Sequence, residues 1–237
     1  MDWLVGVTAA PRSDSTLGRC VDSLHANDWV PTVFAEPGTD VSGTTCAVVQ
    51  RSERLGIWHN WFAMARQISR DDASHVLTVQ DDCEVVPFAR RVLERFEWPE
   101  RCAFVSLYLP AHHVPVGRFG QRRRPGIQHI SQAVLHGSVC LAWRMEALRL
   151  VVESPDAANW PGYYATVRKW TFPWMVEDDD ICIGYAVNAL NLEMWYAVPG
   201  LAQHVSTDTT RRTDMGIRRS PWVAESEMEF DEIPACR

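Results

Sequence analysis

Short apolar runs alternate along this chain with segments whose apolar positions recur every three or four residues, the pattern of strands and helices taken in turn. Met1 to Val7 reads as an opening strand. Leu17, Cys20, Val21 and Leu24 then fall on one helical face, with Ser13, Asp14 or Ser15 placed to cap that helix. A second strand over 31–36 ends at Pro37-Gly38, so the chain opens as a βαβ unit. A short third strand over 46–50 precedes a helix whose Trp58, Trp61, Phe62, Ala65 and Ile68 form a core-facing stripe.

The alternation continues beyond it. Val76 to Val79 is long and β-branched enough for a buried parallel strand, and it stops abruptly at Gln80-Asp81-Asp82. Pro87 opens a helix carrying Phe88, Val92, Leu93 and Phe96, and a strand follows over 103–109. From Pro110 to about Gln132 the composition turns to Gly, Pro, Arg and His without apolar periodicity, which reads as a long functional loop. A strand over 137–143 and a helix over 146–152 lead to a second loop, 154–174. That loop carries Trp160, Tyr163, Tyr164, Trp170, Phe172 and Trp174, which suit either stacking on sugars or bases or a small core beneath the loop. Strands over 194–198 and 201–205 close the pattern. This order predicts an α/β fold. With 237 residues, 46% of them hydrophobic, the chain is expected to form one domain, 1–237.

Composition removes several function classes. A net charge of -7 argues against a uniformly basic nucleic-acid binder, although Arg118, Arg122, Arg123 and Arg124 make one local basic patch. No apolar run has the length of a membrane helix, and the N-terminus lacks the basic start and cleavage site of a signal peptide. The seven cysteines are scattered, without a Cys-x-x-Cys pair, which supports neither a zinc site nor a disulfide framework. A cytoplasmic, reducing location is the expectation.

The candidate chemistry lies in two acidic clusters. Asp81 and Asp82, with Glu84 two places on, sit where a strand delivers charge to the rim on which open α/β sheets bind ligands. Adjacent carboxylates repel, and a hard divalent cation is the common remedy, so the stretch reads as a metal-diphosphate site. The competing reading is a cap for the next helix. Before the 58–68 helix, Gly56 lets the backbone approach closely and Arg54 is suited to a phosphate; Asn60 is either a surface amide or a ligand contact. Neither Gly-x-Gly-x-x-Gly nor a P-loop is present, so a nucleotide would be held differently. The second cluster, Glu177-Asp178-Asp179-Asp180, exceeds what helix capping requires, and crowding raises carboxyl basicity toward that of a general base. His204, late in a strand, is a structural residue or a further metal ligand.

In this order the pieces resemble the GT-A class of nucleotide-sugar glycosyltransferases. The class implies a GT-A-like, Rossmann-type, mixed and mostly parallel sheet flanked by helices. It implies Mn²⁺ or Mg²⁺ as cofactor and a nucleotide-diphosphate sugar as donor. Gln80-Asp81-Asp82 resembles the DxD-type motif, whose final Asp meets the metal. Asp179-Asp180-Ile-Cys-Ile-Gly184 resembles the element supplying the base of inverting members, with Asp178 the base in an alternative register. Pro199 to Ser206 resembles the segment that returns a His, here His204, to the metal. By the same resemblance Thr8, Ala9, Pro11, Arg12 and Glu36 hold the nucleoside, and Gly137 and Ser138 face the donor sugar. Residues 1–109 would then be the nucleotide and metal half, and 110–237 the acceptor half.

Two other functions stay open at this level: a metal-dependent phosphohydrolase using Asp81, Asp82, Glu84 and the later acids, and a non-catalytic carbohydrate-binding module. For a transferase the acceptor is a glycan or, through the basic patch and aromatic loop, a hydroxylated base in DNA.

Overall fold

The computed structural model describes residues 1–110, 125–129, 135, 137–160, 179–205 and 223–230. Its elements are β1 (Trp3–Ala9), α1 (Leu17–His25), β2 (Pro31–Ala35), β3 (Ala47–Gln50), α2 (Gly56–Ile68), β4 (His75–Gln80), β5 (Cys83–Val85) and α3 (Ala89–Arg95). There follow β6 (Cys102–Ser106), β7 (Gly126–His129), β8 (Cys140–Arg144), α4 (Met145–Glu153), α5 (Pro155–Ala158), α6 (Asp179–Ala189), β9 (Glu193–Val198) and β10 (Ala202–His204).

Eight strands form one sheet in the order β3-β2-β1-β4-β8-β6-β9-β7. The run β3 to β4 is parallel throughout, β8 is antiparallel to both β4 and β6, and β7 is antiparallel to β9. Six strands therefore point one way and two, β7 and β8, the other. This is the mixed, mostly parallel α/β sheet of a GT-A-like fold. Strand position explains the patterning. Central β4 is buried on both faces up to Gln80, whereas edge strand β3 is mostly exposed.

Helices cover both faces. Leu17, Cys20, Val21 and Leu24 of α1 and Ala89, Val92 and Leu93 of α3 pack with Val5, Val7, Leu77 and Val79 on one side. On the other, Trp58, Trp61, Met64 and Ala65 of α2 join Leu148 and Val151 of α4 and Ile183 and Val187 of α6. Alternation along each strand sends neighbouring side chains to opposite layers, so both cores draw on the same strands.

Three local expectations change. The expected long loop after Pro110 contains β7, whose single inward apolar residue, Ile127, is too weak a signal by itself; its ladder with β9 supplies the order. The N-cap of α1 is Thr16 rather than Ser13, Asp14 or Ser15, and its hydroxyl makes no cap bond. The acids after β4 do not cap the following helix: β5 intervenes, and the N-cap of α3 is Phe88.

Among the described residues no helix is long and apolar enough to cross a membrane. Cys20, Cys46, Cys83, Cys102, Cys140 and Cys182 are free thiols, and all but Cys46 are buried. Burial pushes the Cys20 and Cys102 thiols up, which suits packing rather than reactivity.

Candidate functional site

The site is assembled at the carboxyl ends of β1 and β4. Thr8 stands beside Gln80 in the parallel register, and the Asp81 amide donates to the Thr8 carbonyl at 3.0 Å. Both Asp81 and Asp82 are 3% exposed, so neither charge is satisfied by water. Ala10 donates its amide to Asp81 Oδ2 at 3.2 Å, and Arg12 donates through Nε (3.0 Å) and Nη2 (2.8 Å) to Oδ1. The same Nη2 lies 2.7 Å from Asp82 Oδ2. The Thr16 hydroxyl donates to the Asp81 carbonyl at 2.9 Å and pins the turn to α1.

His204 arrives from far along the chain. The β5–β10 ladder sets it opposite Cys83, and Val205 donates its amide to the Asp82 carbonyl at 2.8 Å. His204 Nε2 then lies 2.9 Å from Asp82 Oδ2. The two carboxyls diverge as a result. Burial raises Asp81 despite the bonds from Arg12. Burial also opposes ionisation of Asp82, yet the hydrogen bond and charge of His204, with Arg12, outweigh it and hold that carboxyl below its ordinary value.

Asp82 and His204 are the residues that could hold a divalent cation. His204 Nε2 faces Asp82 Oδ2, and among the described residues Asp82 Oδ1 is buried without a hydrogen-bond partner. Glu84 is not with them; it pairs with Arg19 on α1. Among the described residues no group of three or more His, Cys, Asp or Glu side chains converges. Among the described residues Asp82 and His204 are thus two candidate donors, and a cation held by them would take its other ligands from water or phosphate. It does not provide a two-metal carboxylate cluster from Asp81, Asp82 and Glu84.

Gln80 links this half to the second acidic cluster. Its Nε2 donates to Ser138 Oγ at 3.2 Å and to Asp179 Oδ2 at 3.1 Å. Asp180 accepts the Gly137 amide on Oδ2 (2.9 Å) and the Ser138 amide on Oδ1 (2.6 Å). Gly137 has φ +80, and a Cβ there would collide with the Tyr108 ring, so only glycine presents these two amides together. Asp179 is buried, whereas Asp180 is partly exposed. One hydrogen-bonded chain thus runs from the end of β4 to the head of α6.

The remaining nucleoside-side residues divide. Thr8, Ala9, Pro11 and Arg12 lie at the carboxyl end of β1, where Ala9 is packed into the core and the Thr8 hydroxyl donates weakly to the Val79 carbonyl at 3.4 Å. Glu36, at the end of β2, is buried and accepts the Leu55 and Gly56 amides on Oε1 at 2.9 and 2.6 Å, so it caps α2. The close approach at Gly56, φ +80, is to this carboxylate. Arg54 is largely exposed, 3.6 Å from Glu36 Oε2. Asn60 is not a surface amide. It is buried, accepts from Arg51 Nε at 3.1 Å and donates to the Phe34 carbonyl at 3.1 Å.

Trp160 belongs to the core, 6.3 Å from the ring of Tyr185. Asp178, Arg118, Arg122, Arg123, Arg124 and the aromatics of 163–174 lie outside the described residues. The sequence carries no local signal for Thr16 and Arg19, because their roles depend on partners distant in sequence.

No protein-family model matches the chain, and no curated protein matches it. Among solved structures, S. aureus TarS 1–349 in complex with UDP-GlcNAc is similar at 11% identity and TM-score 0.53, covering 90% of this chain and 60% of that one. A second S. aureus TarS structure is similar at 12% identity and TM-score 0.53, covering 87% of this chain and 37% of that one. The chain thus spans less than two thirds of these neighbours' length, and the likeness is one of fold.

Proposed function

We propose that this chain is a glycosyltransferase that moves a sugar from a nucleotide-diphosphate sugar to an acceptor hydroxyl with inversion. The observation that supports this most is the hydrogen-bonded chain joining the Asp81-Asp82 turn, through Gln80, to Ser138 and the Asp179-Asp180 pair. A donor site and a carboxylate for proton transfer need to be held at fixed distance across one cleft, and Gln80, bonded to Ser138 and to the Asp179 beside that carboxylate, ties them together. The fold neighbour in complex with UDP-GlcNAc makes UDP-sugars the first donors to test.

In this reading residues 1–109 bind the nucleotide and residues 110–237 present the acceptor, within one catalytic domain. Asp82 and His204 would hold Mn²⁺ or Mg²⁺, which when bound neutralises charge on the leaving diphosphate as a Lewis acid. Arg12 adds a fixed positive charge on the same side. Gly137 and Ser138 bring backbone close to the donor sugar. Of the acidic cluster, Asp180 takes the proton of the attacking hydroxyl, since it is the partly exposed carboxylate, while buried Asp179 positions Gln80. A hydroxyl attacking from the Asp180 side, opposite the diphosphate, inverts the anomeric centre.

Calorimetric titration of UDP-sugars and other nucleotide sugars, with Mn²⁺ and with a chelator, tests the reading. A donor that binds with saturable heat and is transferred to an added hydroxyl compound is the expected result. Absence of binding by every nucleotide sugar overturns it, and hydrolysis that outpaces all transfer points to the phosphohydrolase.

A further inference from the structure

Resting on the reading of Asp82 and His204 as a cation site, we propose that Arg12 keeps that site closed to free divalent cations until a nucleotide diphosphate arrives. Arg12 Nη2 lies 2.8 Å from Asp81 Oδ1 and 2.7 Å from Asp82 Oδ2, with the three side chains 8%, 4% and 5% exposed. The guanidinium cannot shed its charge, and at this depth solvent screens it poorly. A divalent cation seated on Asp82 would face that charge at close range. Asp82 Oδ2 is already shared between Arg12 and His204, while Oδ1 has no hydrogen-bond partner among the described residues. In the nucleotide-free protein the acidic pair therefore has a resident counter-ion.

A diphosphate changes the balance on two counts. It offers oxygens that match a guanidinium fork, and it supplies further oxygen ligands to a cation held by Asp82 and His204. Arg12 can keep Asp81 through Nε and turn Nη2 from Asp82 to phosphate, since Nε and Nη2 both reach Asp81 Oδ1 now. Asp82 is then released to the cation. Cation and nucleotide bind together, and the acidic pair does not collect metal beforehand.

Titration of the full chain with Mn²⁺, following free Mn²⁺ by electron paramagnetic resonance, reads this without turnover. Without nucleotide, Arg12→Gln is expected to bind Mn²⁺ at least about tenfold more tightly than wild type, and Arg12→Lys to stay near wild type. Uridine diphosphate should raise the Mn²⁺ affinity of wild type by a larger factor than that of Arg12→Gln. Equal or weaker Mn²⁺ binding by Arg12→Gln, with wild type binding Mn²⁺ normally beside uridine diphosphate, overturns the role of Arg12 alone. No Mn²⁺ binding by wild type even with uridine diphosphate overturns the cation reading beneath it. Arg12→Met replaces the Gln variant if circular dichroism shows the latter unfolded.

Discussion

His204 Nε2 lies 2.9 Å from Asp82 Oδ2, although the two residues are far apart in sequence. Their meeting depends on the antiparallel β5–β10 ladder, in which Ala202, Gln203 and His204 face Val85, Glu84 and Cys83. The alternation along β5 also explains why Glu84 is elsewhere: it turns to Arg19 while Cys83 is buried beneath. One register thus admits His204 to the site and removes Glu84 from it.

Asp82→Ala is expected to abolish metal-dependent transfer, because it removes the one carboxylate that His204 and Arg12 share. Steady-state rates on purified, folded variant check this, and unchanged activity overturns the assignment. Glu84→Gln, by contrast, should leave metal dependence intact.

Asp180→Asn is expected to lower kcat by about 100- to 10,000-fold, and because its new NH2 faces the Gly137 or Ser138 amide, donor affinity should fall as well but by much less. Asp179→Asn should act more weakly, through Gln80. Calorimetry beside kinetics separates the two; an Asp180→Asn enzyme with normal kcat moves the base to Asp178.

Glu36→Ala should cost about 1 to 2 kcal/mol of stability, since it strips the Leu55 and Gly56 amides at the start of α2 of their acceptor. Urea unfolding measures this directly. A variant as stable as wild type would mean that the cap is not a stabilising element.

Gly137→Ala combines a left-handed backbone with a collision against Tyr108, and a loss of about 1 to 3 kcal/mol is expected. Relaxing that strain also moves the Ser138 amide off Asp180, so donor affinity should fall with stability. Thermal melts with and without donor would show both effects.

Acid lability should include a contribution from His75, whose imidazole is lowered to about 4 by burial, the N-terminal charge and Arg144. Below the ordinary value of 6.5 the unfolded chain takes up a proton that the folded one refuses. Stability from this source is therefore full above pH 6.5 and declines as pH falls toward about 4. His75→Phe, which keeps a ring against Trp3 and Trp98, should flatten the melting temperature across that window. An unaltered slope would show that the titration lies elsewhere.

Periodicity along the sequence determined the helical faces of α1 and α2, the buried run of β4 and its stop at Asp81-Asp82, since these patterns reflect which local positions meet a core. It could not reveal β7, which owes its order to β9, nor the cap made by Glu36, whose partners lie 19 and 20 residues on. Asn60 shows the same limit, because one amide at helical spacing reads alike whether it faces water or bridges Arg51 to Phe34. Tertiary structure alone decided that Arg12 sits between the two carboxylates, that His204 joins Asp82, and that Asp180 holds Gly137 and Ser138. The reason is physical: residue type and spacing record burial one element at a time, whereas a site is set by strand order and register, which place charges from separate elements within hydrogen-bonding distance.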